Sequence, residues 1–67
     1  MSVLIYAENT GGQFKKSIFE AVCYARAIAD QNNVQLTALS IGDVSNDELN
    51  KLATYGADKI ITVSNVS

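Results

Sequence analysis

Apolar residues in this chain fall into three short runs, separated by two stretches of a different period. Val3-Leu4-Ile5-Tyr6-Ala7 is continuous rather than alternating. That pattern suits a strand covered on both faces, usually a central strand of a parallel sheet. Asn9-Thr10-Gly11-Gly12 reads as a loop, and from about Phe14 the spacing turns helical. Ile18, Ala21, Val22, Ala25, Ile28 and Ala29 share one stripe, while Lys16, Glu20, Arg26 and Asp30 lie off it. Asn32-Asn33 supplies the turn chemistry that stops a helix. Val34 to about Ile41 predicts a second strand, with Val34, Leu36 and Ala38 on one side and Leu39 and Ile41 on the other.

Gly42-Asp43-Val44 makes the next turn, and Ser45-Asn46-Asp47-Glu48 has the form of a capping box. In that reading Ser45 is the N-cap and Glu48 reaches back to it. Leu49, Leu52 and Ala53 give the second helix a short apolar face, and Gly56 stands where a left-handed residue ends it. Lys59 to Val63 predicts a third strand.

The order β-α-β-α-β with short connections implies parallel strands joined by right-handed crossovers. Strand order 3-2-1 would place both helices on one face and leave the other bare. Order 2-1-3 would place one helix on each face, each covering only part of the sheet. Either way the first strand lacks cover. Residues 1–67 therefore read as an incomplete domain, half of a three-layer, parallel, Rossmann-like α/β sheet with strand order 3-2-1. The closing "TVSNVS" adds no cap or helix after the third strand.

Composition narrows the function classes. One cysteine, Cys23, excludes an intrachain disulfide, and with no histidine a zinc site lacks good ligands. A domain this small then depends on packing alone, or on a partner. Net charge is −2 and the basic residues are scattered apart from Lys15-Lys16, which argues against a nucleic-acid footprint. The run from Val3 to Ala7 is too short for membrane insertion or a signal sequence, and Met1 leads almost directly into it. A cytoplasmic protein of bacterial type is the expectation.

Candidate chemistry is sparse. Gly11-Gly12-Gln13-Phe14-Lys15-Lys16-Ser17 has neither the Walker A spacing nor G-x-G-x-x-G. A glycine loop between a strand and a helix N-terminus can still hold an anion on backbone amides, with Lys15 and Lys16 assisting. Conformational relief of the turn is the stronger reading. Glu8 ends the first strand, on the edge where ligands of open α/β sheets bind. It has no companion acid or base, and a solvated or loop-tying role suits it better. Cys23 lies mid-helix with no histidine or resolving thiol nearby and reads as a packing residue. Tyr6, Tyr24 and Tyr55 read as half-buried, with hydroxyls toward the edge. Phe19 and Tyr24 lie off the main stripe and hint at an interface. Asp58 reads as a turn residue. No catalytic, cofactor-binding or metal-binding residue is assigned.

Taken together, "VLIYAENTGGQFKKSIFEAV" and "LATYGADKIITV" resemble the amino-terminal domain of the electron transfer flavoprotein alpha subunit, over essentially the whole chain. The resemblance lies in the strand ending Ala7-Glu8, the glycine loop, the helix with Glu20, and Tyr55-Gly56-Ala57-Asp58-Lys59 before the third strand. It implies an adenine nucleotide alpha hydrolase-like sheet, the fold shared with universal stress proteins, in a soluble heterodimeric electron carrier. Such carriers take electrons from flavin dehydrogenases, including acyl-CoA dehydrogenases, and pass them to a quinone oxidoreductase or another acceptor. FAD is held mainly by the alpha subunit's carboxyl-terminal domain, and AMP by the beta subunit in most members. This segment would be structural and pack on the beta subunit, with no cofactor on residues 1–67. The alternative is a stand-alone adenine-nucleotide-binding domain of universal-stress-protein type, using Gly11, Gly12 and Lys15.

Overall fold

A computed structural model describes residues 2–63. Residues 64–67, expected to add no cap or helix, lie outside the described residues. β1 (Ser2–Tyr6) is followed by two very short strands, β2 (Asn9–Thr10) and β3 (Gln13–Phe14). Then come α1 (Lys16–Asn32), β4 (Gln35–Ile41), α2 (Asn46–Tyr55) and β5 (Lys59–Val63). The main sheet is parallel and ordered β1-β4-β5, which is the expected 3-2-1 arrangement of its three strands.

Register explains the layering. Val3 pairs with Leu36, and Ile5 with Ala38 and through it Ile60. These residues share one face, where Leu36 and Ala38 are fully buried. Against them pack Val22, Ala25 and Ala29 of α1 and Leu52 of α2, all buried. The small alanines on α1 let the helix sit close to the strands, so the apolar stripe becomes the core. On α2 the expected apolar face narrows to Leu49 and Leu52, since Ala53 is exposed.

The opposite face holds Leu4 and Tyr6, Leu39 and Ile41, and Ile61 and Val63 in matched register. No element covers it among the described residues. Leu4 is 64% exposed and Tyr6 52%. The apolar run of β1 marks a strand to be covered on both faces within a larger sheet, and order 3-2-1 leaves it without that cover in this chain. Here it is an edge strand with alternating burial, because both crossovers step in one direction and both helices lie on one side.

Helix ends follow their local chemistry. Asn33 closes α1 in the left-handed region at φ 54°, and the Val34 amide donates to the Ala29 carbonyl at 3.0 Å. Gly56 closes α2 at φ 137°, with the Ala57 amide on the Leu52 carbonyl at 3.0 Å. At the start of α2, Ser45 Oγ accepts from the Glu48 amide at 3.3 Å, half of the expected capping box. The other half does not form. The Glu48 carboxylate points away, with Oε2 accepting from the Phe14 amide at 3.1 Å and Oε1 pairing with Lys51.

Candidate functional site

Of the residues flagged from sequence, Glu8 and the Gly11-Gly12 loop follow β1 at the carboxyl edge of the sheet. Beyond β1, the chain does not loop directly into α1. β2 and β3 form an antiparallel hairpin, pairing Asn9 with Phe14 and Thr10 with Gln13. Gly11 and Gly12 are its two-residue tip, at φ 60° and 82°. Positive φ at both central residues is what a type I′ turn demands, and glycine meets it without strain. Arms of two residues are too short to show a period in sequence, but Gly-Gly flanked by short polar stretches is a hairpin signal.

Three contacts fasten the hairpin over the sheet edge. Asn9 Nδ2 donates to the Ile41 carbonyl at 2.7 Å, while its Oδ1 accepts from the Gly12 amide at 3.2 Å. A Cβ on Gly12 would stand 3.1 Å from the Asp43 carbonyl oxygen, so the tip lies close against the β4–α2 loop. Glu48, through Phe14, ties the far arm to α2. The lysine and backbone-hydrogen-bonded Phe14 amide favour the ionised carboxylate, and Glu48 titrates below its ordinary range.

This geometry separates the parts that a phosphate cradle would need. The glycines sit at the hairpin tip rather than at the α1 N-terminus, and the Gly12 amide is already engaged. α1 begins after Lys15 with no side-chain cap and no acidic residue in its first turn. Lys15, Lys16 and Glu8 are exposed. A cleft of 410 Å³ remains at this edge, lined by Gly42, Asp43, Ser45, Leu49 and Thr62 among others. That is toward the small end of the roughly 300–1,000 Å³ spanned by sites for drug-sized ligands. These residues do not fit a flavin dinucleotide.

The "YGADK" segment has a role that sequence reading missed. Asp58 Oδ2 accepts from the Leu36 amide at 2.8 Å and from Arg26 Nη1 at 2.6 Å. The Asp58 amide in turn donates to the Leu36 carbonyl at 2.8 Å. Arg26 also donates to the Gly56 carbonyl at 2.9 Å and pairs with Asp30 at 2.7 Å. One carboxylate thus joins the entry of β4, the end of α2 and the middle of α1. The Leu36 amide, then Arg26, holds Asp58 below the usual carboxylate range. Asp58 in turn raises the Arg26 guanidinium.

The remaining candidates scatter. Phe19 stacks on Tyr55 with centroids 4.7 Å apart and meets Phe14 edge-on at 6.1 Å, so it is packed rather than presented. Cys23 is exposed, its Sγ 3.9 Å from the Tyr55 carbonyl. Tyr24 is 72% exposed, not half-buried, because its position on α1 faces away from sheet and α2 alike. Among the described residues, no group of His, Cys, Asp and Glu could hold a metal ion. Nor is any helix among the described residues long and apolar enough to cross a membrane.

Comparison with known proteins decides the family. The model of the Electron transfer flavoprotein domain matches residues 3–67. The chain belongs to the electron transfer flavoprotein family. It is also 38% identical over 64 residues to Protein FixB of Clostridium saccharobutylicum, a match covering 94% of this chain and 19% of FixB. The chain therefore spans about a fifth of the length of the curated relative it matches. Membership in a family of electron carriers accords with the resemblance drawn from the strand, helix and "YGADK" segments.

Proposed function

We propose that this chain is the amino-terminal sheet segment of an alpha-type subunit in a heterodimeric, FAD-containing electron carrier. In this reading the assembly takes electrons from flavin dehydrogenases such as acyl-CoA dehydrogenases. It passes them to a quinone oxidoreductase or another acceptor, in the cytoplasm. FAD belongs to a part of the subunit outside residues 1–67, and AMP to the beta partner. The segment itself is structural and contacts the beta subunit.

The family match over residues 3–67 carries the reading. The site geometry supports it from the other side, since the Gly11-Gly12 tip is consumed by a hairpin turn and its contacts. A redox step on these residues is not part of the proposal.

Two titrations test it. Adding FAD or AMP to the chain while following backbone amide shifts should leave residues 8–17 unmoved. The chain should instead shift on addition of a family beta subunit. Micromolar AMP binding at residues 8–17 would replace this reading with an adenine-nucleotide-binding domain of universal-stress-protein type.

A further inference from the structure

Two carboxylates tie this fold across long gaps in sequence, and they do so on different scales. Asp58 joins β4 to α1, through the Leu36 amide and Arg26. Glu48 joins only the β2–β3 hairpin to α2, through the Phe14 amide at 3.1 Å. That amide has no partner inside the hairpin. Bonded and non-bonded pairs alternate along an antiparallel ladder. Thr10 and Gln13 flank the two-residue tip as the bonded pair, so at the next pair, Asn9 and Phe14, the amides point outward. Phe14 is buried, and an N–H kept from water needs an acceptor. Glu48 supplies it from a side chain that is 14% exposed.

The hairpin has little else to hold it. Two strands this short are not stable alone in water. A Cβ on Gly11 would meet nothing within 4 Å, and of residues 9–14 only Phe14 belongs to the apolar core. One arm is fixed by Asn9 Nδ2 on the Ile41 carbonyl at 2.7 Å. The other is fixed by the Glu48 bond and by the Phe14 ring, edge-on to Phe19. Breaking these few contacts would not disturb the pairing of β1, β4 and β5, so the segment has the makings of a separate opening unit.

We propose that residues 9–14 form a strap that opens and closes as one unit over the carboxyl end of β4, with the Glu48 carboxylate as its latch. Opening frees the Ile41 carbonyl and the Phe14 ring and leaves the three-stranded sheet intact. Both then face the edge where ligands of open α/β sheets bind. The charged groups around the latch are few. Lys51 pairs with the second Glu48 oxygen, and Asp47 precedes Glu48 on α2. Lys15 and Lys16, next after Phe14, and Asp43 in the β4–α2 loop are exposed. Lys51, then the Phe14 amide, hold Glu48 below its ordinary range. The latch is therefore closed at neutral pH and releases as pH falls through the folded value.

Native-state amide exchange, read residue by residue by NMR, tests the strap, with the Leu36 amide on Asp58 reporting on the sheet. At pH 7 the Gly12 and Phe14 amides should be protected at least tenfold less than Leu36. Glu48→Gln keeps the shape and an acceptor but loses the charge, and should lower protection at Phe14 about tenfold. Gly12, which Glu48 does not touch, should fall by a similar factor, and Leu36 by less than twofold. Asn9→Ala should lower Phe14 in the same way. Lys51→Ala should move the loss of Phe14 protection on acidification to higher pH. Equal protection at all three amides, or an equal fall at Leu36 in either strap variant, means global opening and overturns the proposal. So does a fall at Phe14 without one at Gly12 in Glu48→Gln, since the arms then move separately. An acid profile that Lys51→Ala leaves in place removes Glu48 as the latch.

Discussion

Substituting Gly56 by alanine tests two structural arguments at once. Gly56 ends α2 at φ 137°, ψ 0°, a region that an L-residue enters at a cost of roughly 1–3 kcal/mol. An added Cβ would also stand 2.9 Å from Cγ and Cδ of Arg26 and 3.0 Å from its Cβ. The far end of Arg26 cannot swing aside freely, because it is held by the Gly56 carbonyl, Asp58 and Asp30. Strain and clash add at this one position. A loss of about 2 kcal/mol or more is expected, which at an m-value of about 1 kcal/mol/M moves the urea midpoint by about 2 M. The assay is urea unfolding followed by far-UV circular dichroism, as a double-mutant cycle with Arg26→Ala. Removing Cγ and Cδ leaves only the 3.0 Å Cβ contact, so Gly56→Ala should cost less in that background, approaching the backbone term alone. An equal cost in both backgrounds refutes the packing argument. A cost under about 0.5 kcal/mol in the wild-type background refutes the backbone argument as well.

Three further outcomes are expected. Asp58 has a folded pKa below its unfolded value, so the stability it contributes is present above the unfolded pKa, near 3.9, and is lost as pH falls through the folded one. Asp58→Asn should therefore flatten the acid limb of a stability–pH curve measured between about pH 2 and 5, while lowering stability near neutrality. Leu52→Ala empties a fully buried position between α2 and the sheet and should cost about 2–5 kcal/mol by urea midpoint. At the hairpin tip, Gly11→Asn should be nearly neutral, since φ is 60° and nothing lies within 4 Å. Gly12→Val should cost about 1–3 kcal/mol, since φ is 82° and the Asp43 carbonyl stands 3.1 Å from the new Cβ. Thermal melts of that pair, run together, check the assignment of the turn.

Much of the architecture is local and could be read before any coordinates. The stripe through Val22, Ala25 and Ala29 and the strand at Lys59–Val63 declare themselves by period. Asn33, Ser45 and Gly56 mark helix boundaries through conformations or hydrogen bonds made within a few residues. Parallel pairing and the strand order follow from short connections and the handedness of crossovers.

Other features depend on residues far apart in the chain, where period and spacing carry no signal. Arg26 and Asp58 look like a solvated charge and a turn residue until the fold brings them together across 32 positions. Glu48 matches a capping box, yet its carboxylate goes to Phe14, 34 residues away, because the folded hairpin places a free amide within its reach. The same Val3–Ala7 run that correctly signals an apolar strand says nothing about which neighbours exist to cover it. The order and spacing of its residues determined that this chain would build a parallel sheet on an alanine-lined helix. Only the tertiary structure decided which carboxylates would hold it closed and which apolar face it would leave open, because burial and pairing depend on distances that a linear order does not contain.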